Sequence, residues 1–123
     1  GKHLHLEKQP VIPLEQEVID VSDRAQFKKV NQKSLFDTLM QTHPYVRTYS
    51  DCFGHILAVK GSVGAVVDLV IRFWDLAATQ ILMEEAGGKY HCLELADPLQ
   101  EAPMYGIVCG KSHVVDWIIS SFL

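Results

Sequence analysis

Trp74-Asp75-Leu76-Ala77-Ala78-Thr79-Gln80-Ile81-Leu82-Met83-Glu84-Glu85-Ala86-Gly87-Gly88 carries a helical signature. Trp74, Ala77, Ala78, Ile81 and Leu82 fall at the i, i+3, i+4, i+7, i+8 spacing of one helical face. That spacing predicts a helix burying this face. Gly87-Gly88 closes it, because glycine takes the left-handed C-cap conformation without a Cβ penalty. Asp75 lies in the first turn, off the stripe, where the helix dipole and unpaired amides favour a carboxylate. On spacing alone Asp75 is a capping acid. Just upstream, Ala65 to Phe73 is a near-continuous apolar run, the pattern of a strand buried on both faces.

Further upstream, Ser50-Asp51 starts a helix with Cys52, Ile56 and Val59 on one face, which stops at Gly61. Tyr45 to Tyr49 is rich in β-formers and reads as a strand. Ser34-Leu35-Phe36-Asp37 has the capping-box pattern, and Leu35, Phe36, Leu39 and Met40 predict a short amphipathic helix ending before Pro44. Val18 to Val21 reads as a strand, with Ser22-Asp23 as a turn or helix cap. Leu4 and Leu6 alternate with His3 and His5 as in a short edge strand, and the simpler place for those histidines is its solvent face. Downstream, Lys89 to Leu95 reads as a strand. Ala96-Asp97-Pro98 opens a loop that includes Pro103. Tyr105 to Cys109 reads as a short buried strand, and a last helix puts Val115, Ile118, Ile119 and Phe122 on one face. Strands alternating with helices predict an α/β layered domain: a mixed, mostly buried β-sheet flanked by helices.

The 123 residues suit one domain, and 48% hydrophobic residues supply a core. The chain opens at Gly1 in charged, strand-like sequence. The expectation is therefore a domain of a longer protein, with residues 1–17 as the end of a preceding domain or a linker. A net charge of -4, with no basic run interleaved with aromatics, argues against a nucleic-acid surface. Asp68, Arg72 and Asp75 interrupt the most apolar region, so no membrane span is expected. Cys52, Cys92 and Cys109 lie far apart, and their odd count fits a reducing, cytoplasmic setting. No paired-ligand spacing for structural zinc is present.

Gly110-Lys111-Ser112 tempts a phosphate-loop reading, but the position needing the first glycine is Tyr105. A turn with Ser112 as helix N-cap is the simpler reading. No Gly-x-Ser-x-Gly elbow supports a catalytic triad. Cys52 sits at a helix start that would favour a thiolate, but Asp51 beside it opposes ionisation, so an inert, packed thiol is the simpler reading. Asp51, Asp68 and Asp75 are more informative. All lie near strand–helix junctions, and Asp68 interrupts a buried strand, which is costly unless it is paired or bound to a cation. The seven-residue step from Asp68 to Asp75 crosses a strand-to-helix turn and lets both reach one rim of a sheet. Magnesium prefers carboxylate oxygens and often uses one or two with a substrate phosphate. Hydrogen-bonded junction acids and a magnesium site both stay open at this point.

Arg47-Thr48-Tyr49-Ser50-Asp51-Cys52-Phe53-Gly54-His55, Ala65-Val66-Val67-Asp68, Trp74-Asp75-Leu76-Ala77-Ala78 and Glu85-Ala86-Gly87-Gly88 together resemble the C-terminal half of the inositol monophosphatase family. The first block is most similar to the histidinol-phosphatase branch, whose version runs Arg-x-x-Gly-Asp-Cys-Tyr-Gly-Tyr. Weaker similarity runs from about Val18 to the end. The resemblance implies the C-terminal half of a sugar-phosphatase-like fold and a magnesium-dependent phosphate monoester hydrolase acting on histidinol phosphate or inositol monophosphate. It implies Asp75 as a metal ligand, Asp68 as the acid that contacts substrate hydroxyl or amine groups, and Ser50, Asp51 and Cys52 as substrate-pocket residues. Arg47 matches the family arginine.

Two departures stand out. Ser50 replaces the usual glycine, and the first-half motifs are absent: the Glu-Glu metal pair, the Asp-Pro-Ile-Asp-Gly-Thr segment and the water-activating threonine. Catalytic residues are therefore expected in an N-terminal half of the same protein, and the chain alone is expected to be inactive. The implied partners are a small phosphorylated alcohol, that N-terminal half and a second copy in a homodimer. The alternative is a catalytically incomplete domain used for association or regulation.

Overall fold

The computed structural model describes residues 5–29, 32–49, 51–71, 73–95 and 104–123. In chain order the elements are β1 (Ile19–Val21), α1 (Arg24–Lys29), α2 (Lys33–Thr42), β2 (Val46–Arg47), α3 (Asp51–Lys60), β3 (Ala65–Ile71), α4 (Phe73–Glu85), β4 (Lys89–Leu95), β5 (Met104–Gly110) and α5 (Ser112–Phe122). The strands form one sheet in the order β2-β1-β3-β5-β4. β1 runs parallel to β2 and β3, whereas β5 runs antiparallel to β3 and β4. This is the mixed sheet with flanking helices that the alternation of elements predicts.

Alternation along each strand splits the core into two layers. Ile19, Val21, Val67, Leu69 and Val108 face one side, where they meet Phe27 of α1, Leu35 and Leu39 of α2, and Val114, Val115 and Ile118 of α5. Val66, Ile107 and Cys109 face the other, against Ala58 of α3 and Leu76, Met83 and Ala86 of α4. Asp20 alternates with Ile19 and Val21, so it points to the α3–α4 side. Asp68 lies two residues beyond Val66 and shares that side. The β3–β5 register slips between Asp68 and Ile71, where β3 carries one extra residue just before it feeds α4.

Several expectations change. α4 forms as predicted, and Gly87 caps it with φ 76° while Gly88 N–H bonds the Met83 carbonyl at 3.0 Å. The buried stripe, however, is Leu76, Thr79, Met83 and Ala86, whereas Trp74 is 69% exposed and Ile81 57%. α4 carries apolar residues on both faces, so spacing alone selects the wrong one. On α3, Ile56 is exposed, and Gly54, His55 and Ala58 face the sheet. Gly61 does end this helix, with φ 77°.

Ser34 is not an N-cap. α2 starts at Lys33, with Gln32 as the cap residue and no side-chain cap bond. Asp37, the other half of the expected box, pairs with Arg24 at 3.4 Å. Asp23 does cap α1, accepting the Ala25 amide at 2.8 Å. The Tyr45–Tyr49 strand shrinks to Val46–Arg47, because its partner β1 is only Ile19–Val21. Leu6 opens a 3-10 turn rather than continuing a strand, and its amide bonds the Ala86 carbonyl at 2.7 Å. Residues 1–4, including His3 and Leu4, and residues 96–103, where a loop is expected, lie outside the described residues. α5 starts at Ser112 itself, with Lys111 in the cap position. Among the described residues no helix is long and apolar enough to cross a membrane.

Candidate active site

The α3–α4 side of the sheet holds a buried polar cluster built from β1, β3, α3 and α4. Asp20 on β1 is 2% exposed. Its Oδ1 accepts the Tyr49 amide at 2.9 Å, which ties down the chain entering α3. A Cβ added at Gly54 would sit 1.8 Å from Asp20 Oδ2, so only glycine lets α3 settle on this carboxyl group. Burial pushes the Asp20 carboxyl up to about 6, opposed by the Tyr49 amide and by His55, and reinforced by Asp68.

The residue after Gly54 is His55, 7% exposed and turned to the same side. Its Nε2 lies 2.9 Å from Asp68 Oδ2 on β3, and its Nδ1 lies 2.7 Å from Thr79 Oγ1 on α4. An ionised carboxylate only accepts. A ring proton on Nε2 therefore serves Asp68, and the Thr79 hydroxyl, which can donate or accept, meets Nδ1. Thr79 itself is buried, in a position that a purely apolar stripe would fill with a hydrocarbon. Asp68 keeps partial solvent access, with a side chain 17% exposed. It is thus a carboxylate held from behind and reachable from outside, which suits recognition of a substrate hydroxyl or amine.

Asp75 is exposed in the first turn of α4, as a dipole-favoured acid should be. Ser50 and the side chains of Asp51 and Cys52 lie outside the described residues, although Asp51 does open α3. Arg47 is exposed and donates from Nη1 to the Val46 carbonyl at 3.1 Å. Asp75 offers magnesium the right donor chemistry, an accessible carboxylate. Yet among the described residues no group of three or more His, Cys, Asp or Glu side chains could hold a metal ion. One carboxylate falls short of a coordination shell for an ion that dehydrates reluctantly, so these residues alone do not make a metal centre.

Asp20, His55 and Thr79 are the residues that sequence reasoning missed. Asp20 had a readable signal: like Asp68, it is an acid inside an apolar strand, Val18-Ile19-Asp20-Val21. His55 and Thr79 had little, because their pairing depends on how α3 and α4 lie across β3.

No protein-family model matches the chain. A stretch of 43 residues is 44% identical to the histidinol-phosphatase of Chlorobaculum parvum, covering 35% of this chain and 17% of that protein. A stretch of 49 residues is 37% identical to the histidinol-phosphatase of Mycobacterium tuberculosis, covering 40% of this chain and 19% of that protein. In structure, the chain matches inositol monophosphatase II from Staphylococcus aureus with a TM-score of 0.74 at 19% identity, over 98% of this chain and 44% of that one. The chain thus spans less than half the length of the solved structure it resembles. The resemblance to the inositol monophosphatase family, nearest the histidinol-phosphatase branch, is borne out by the names of these curated relatives and by the shared fold.

Proposed function

We propose that this chain, an inositol monophosphatase-like domain, is the C-terminal, substrate-selecting half of a two-domain cytoplasmic phosphatase. The intact protein would hydrolyse a small phosphorylated alcohol, histidinol phosphate or inositol monophosphate, with magnesium. The carrying observation is Asp68. It is fixed by His55 at 2.9 Å, partly open to solvent, and seven residues before the exposed Asp75. In this reading Asp68 binds the hydroxyl or amine of the substrate, and Ser50, Asp51 and Cys52 line the same pocket. Asp75 supplies one magnesium ligand, and the remaining ligands and the catalytic groups come from the N-terminal half. Bound magnesium would polarise the phosphate and activate water. Homodimerisation is part of the same reading.

The test is Asp75→Asn in the full-length protein. Magnesium-dependent phosphate release should fall at least roughly a hundredfold, the scale seen when one preorganised electrostatic group at a reacting centre is removed. Its melting temperature should match wild type. Activity retained within a few-fold would overturn the assignment.

A second reading, a catalytically incomplete domain used for association, draws on the exposed Phe53, Ile56, Trp74, Ile81 and Leu82 along α3 and α4. It predicts no phosphate release from the longest natural form of the protein at millimolar magnesium.

A further inference from the structure

We infer that His55 is a positioning residue for Asp68, and that Thr79 holds the imidazole ring in the orientation in which His55 does so. The inference rests on the reading of Asp68 as the substrate-selecting acid. The geometry spans three elements. Thr79 on α4 contacts Nδ1 at 2.7 Å, and Nε2 contacts Asp68 Oδ2 on β3 at 2.9 Å. The imidazole between them belongs to α3 and is 7% exposed. Thr79 and His55 are both buried, so bulk water cannot substitute for either partner.

An imidazole nitrogen that faces a carboxylate must carry the proton, because an ionised carboxylate only accepts. The ring proton on Nε2 is therefore aimed at Asp68, and the Thr79 hydroxyl, which can donate or accept, bonds Nδ1 and fixes the plane of the ring. The outcome is a carboxylate with one oxygen pinned, in fixed orientation, beside the bulge where β3 runs into α4. The local sequence provides this directly. Gly54 lets α3 approach the sheet over Asp20, and the next residue then reaches β3. His55 touches no reacting atom in this scheme; it acts through Asp68.

A positioning role for a substrate-binding group has a kinetic signature. Losing it weakens ground state and transition state alike, so KM rises while kcat holds. The experiment uses the intact phosphatase with its phosphate-ester substrate. Asp68→Asn is measured first, because a KM that stays at wild type in this variant means Asp68 does not bind substrate, and both the reading and the inference fall.

Given a raised KM in Asp68→Asn, His55→Phe, which keeps ring volume but has no donor, should raise KM roughly tenfold with kcat within about threefold, the size expected for a lost bond to a charged group. His55→Gln, whose side-chain amide can donate from the place of Nε2, should return KM to within about threefold of wild type. Thr79→Val, matched in shape, should raise KM several-fold, and Thr79→Ser should not. The Thr79 pair decides the matter if His55→Phe fails to fold. A KM unchanged in folded His55→Phe, a His55→Gln no better than His55→Phe, or equal KM values for Thr79→Val and Thr79→Ser would overturn the inference while leaving the role of Asp68 intact.

Discussion

Asp20 shows what burial does to one carboxyl group. Among the described residues one backbone donor, the Tyr49 amide, meets it, and a helix is seated over its other oxygen. Removing it from water costs the charged form more than these contacts return, so its carboxyl rises from 3.8 to about 6. That rise is worth about 3 kcal/mol between protonation states, since each pH unit is about 1.4 kcal/mol. The sign follows from linkage. The native state holds the proton more tightly than the unfolded chain, so stability is fullest below about pH 4, declines between 4 and 6, and is lower by that amount above 6. Asp20→Asn keeps an oxygen for the Tyr49 amide and carries no charge. In paired urea titrations the variant should gain on wild type as pH rises from 4 to 7 and then level off. A difference between variant and wild type that is flat in pH would refute this account. The sequence did contain Asp20 in an apolar strand, and the cost argument applied to Asp68 applies equally to it. Asp68 was legible because a motif and a strand–helix junction both marked it. His55 and Thr79 were not, because their meaning is a contact between α3 and α4 rather than a pattern along either.

At the scale of elements, α4 separates what periodicity can decide from what it cannot. Its limits were readable: the acid in the first turn, the double glycine at the end, the apolar strand before it. Its orientation was not, because Trp74, Ala77, Ala78, Ile81 and Leu82 make as regular a stripe as Leu76, Thr79, Met83 and Ala86. The sheet chooses the second stripe. A Cβ at Gly88 would strike Met83 Sδ at 2.3 Å and the Gly110 carbonyl at 2.7 Å, so the helix end is seated against β5 with Met83 inward. Of the first stripe, Trp74, Ala78, Ile81 and Leu82 are left exposed and Ala77 is half-buried. The consequence can be measured with neighbouring residues of similar size. Met83→Ala empties a fully buried site and should cost about 2–5 kcal/mol, whereas Leu82→Ala, at a site 48% exposed, should cost under about 1 kcal/mol. Urea denaturation of both variants checks this, and equal losses would mean that α4 is rotated from the orientation described. The same limit applies to α3, where Gly54 and His55 face the sheet although Ile56 is the more apolar residue.

Across the whole molecule, the sheet carries two different kinds of buried charge. β1 and β3 run parallel, and the Asp20–His55–Asp68 cluster lies across the middle of these strands, with Asp75 beyond the carboxyl end of β3 in the first turn of α4. Glu17 and Lys111 sit at the opposite end, before β1 and after β5. Their carboxylate and ammonium are 2.9 Å apart although 94 residues separate them in sequence, and Glu17 is 2% exposed. Gly64 brings the chain close enough that a Cβ there would lie 2.9 Å from the Glu17 Cβ. His43 adds a contact of 2.6 Å to the Glu17 carbonyl. This explains Gly110-Lys111-Ser112 without a phosphate: the lysine serves an internal anion. The mixed strand order, which brings β5 between β3 and β4, puts Lys111 there, and no local pattern in the sequence announces it. Breaking a buried pair on one side is strongly destabilising, and His113 Nε2, 3.7 Å from the other Glu17 oxygen, is too distant to hydrogen-bond it, so Lys111→Met should cost about 3–5 kcal/mol of folding stability. The loss should come from the stranded Glu17 carboxylate rather than from the missing ammonium. Adding Glu17→Gln to Lys111→Met should therefore restore most of the stability, because the pair as a whole is worth far less than the penalty for breaking it. Urea unfolding of the single and double variants separates the two cases. A double variant as unstable as Lys111→Met would mean that the lysine holds the sheet end by packing and not by charge.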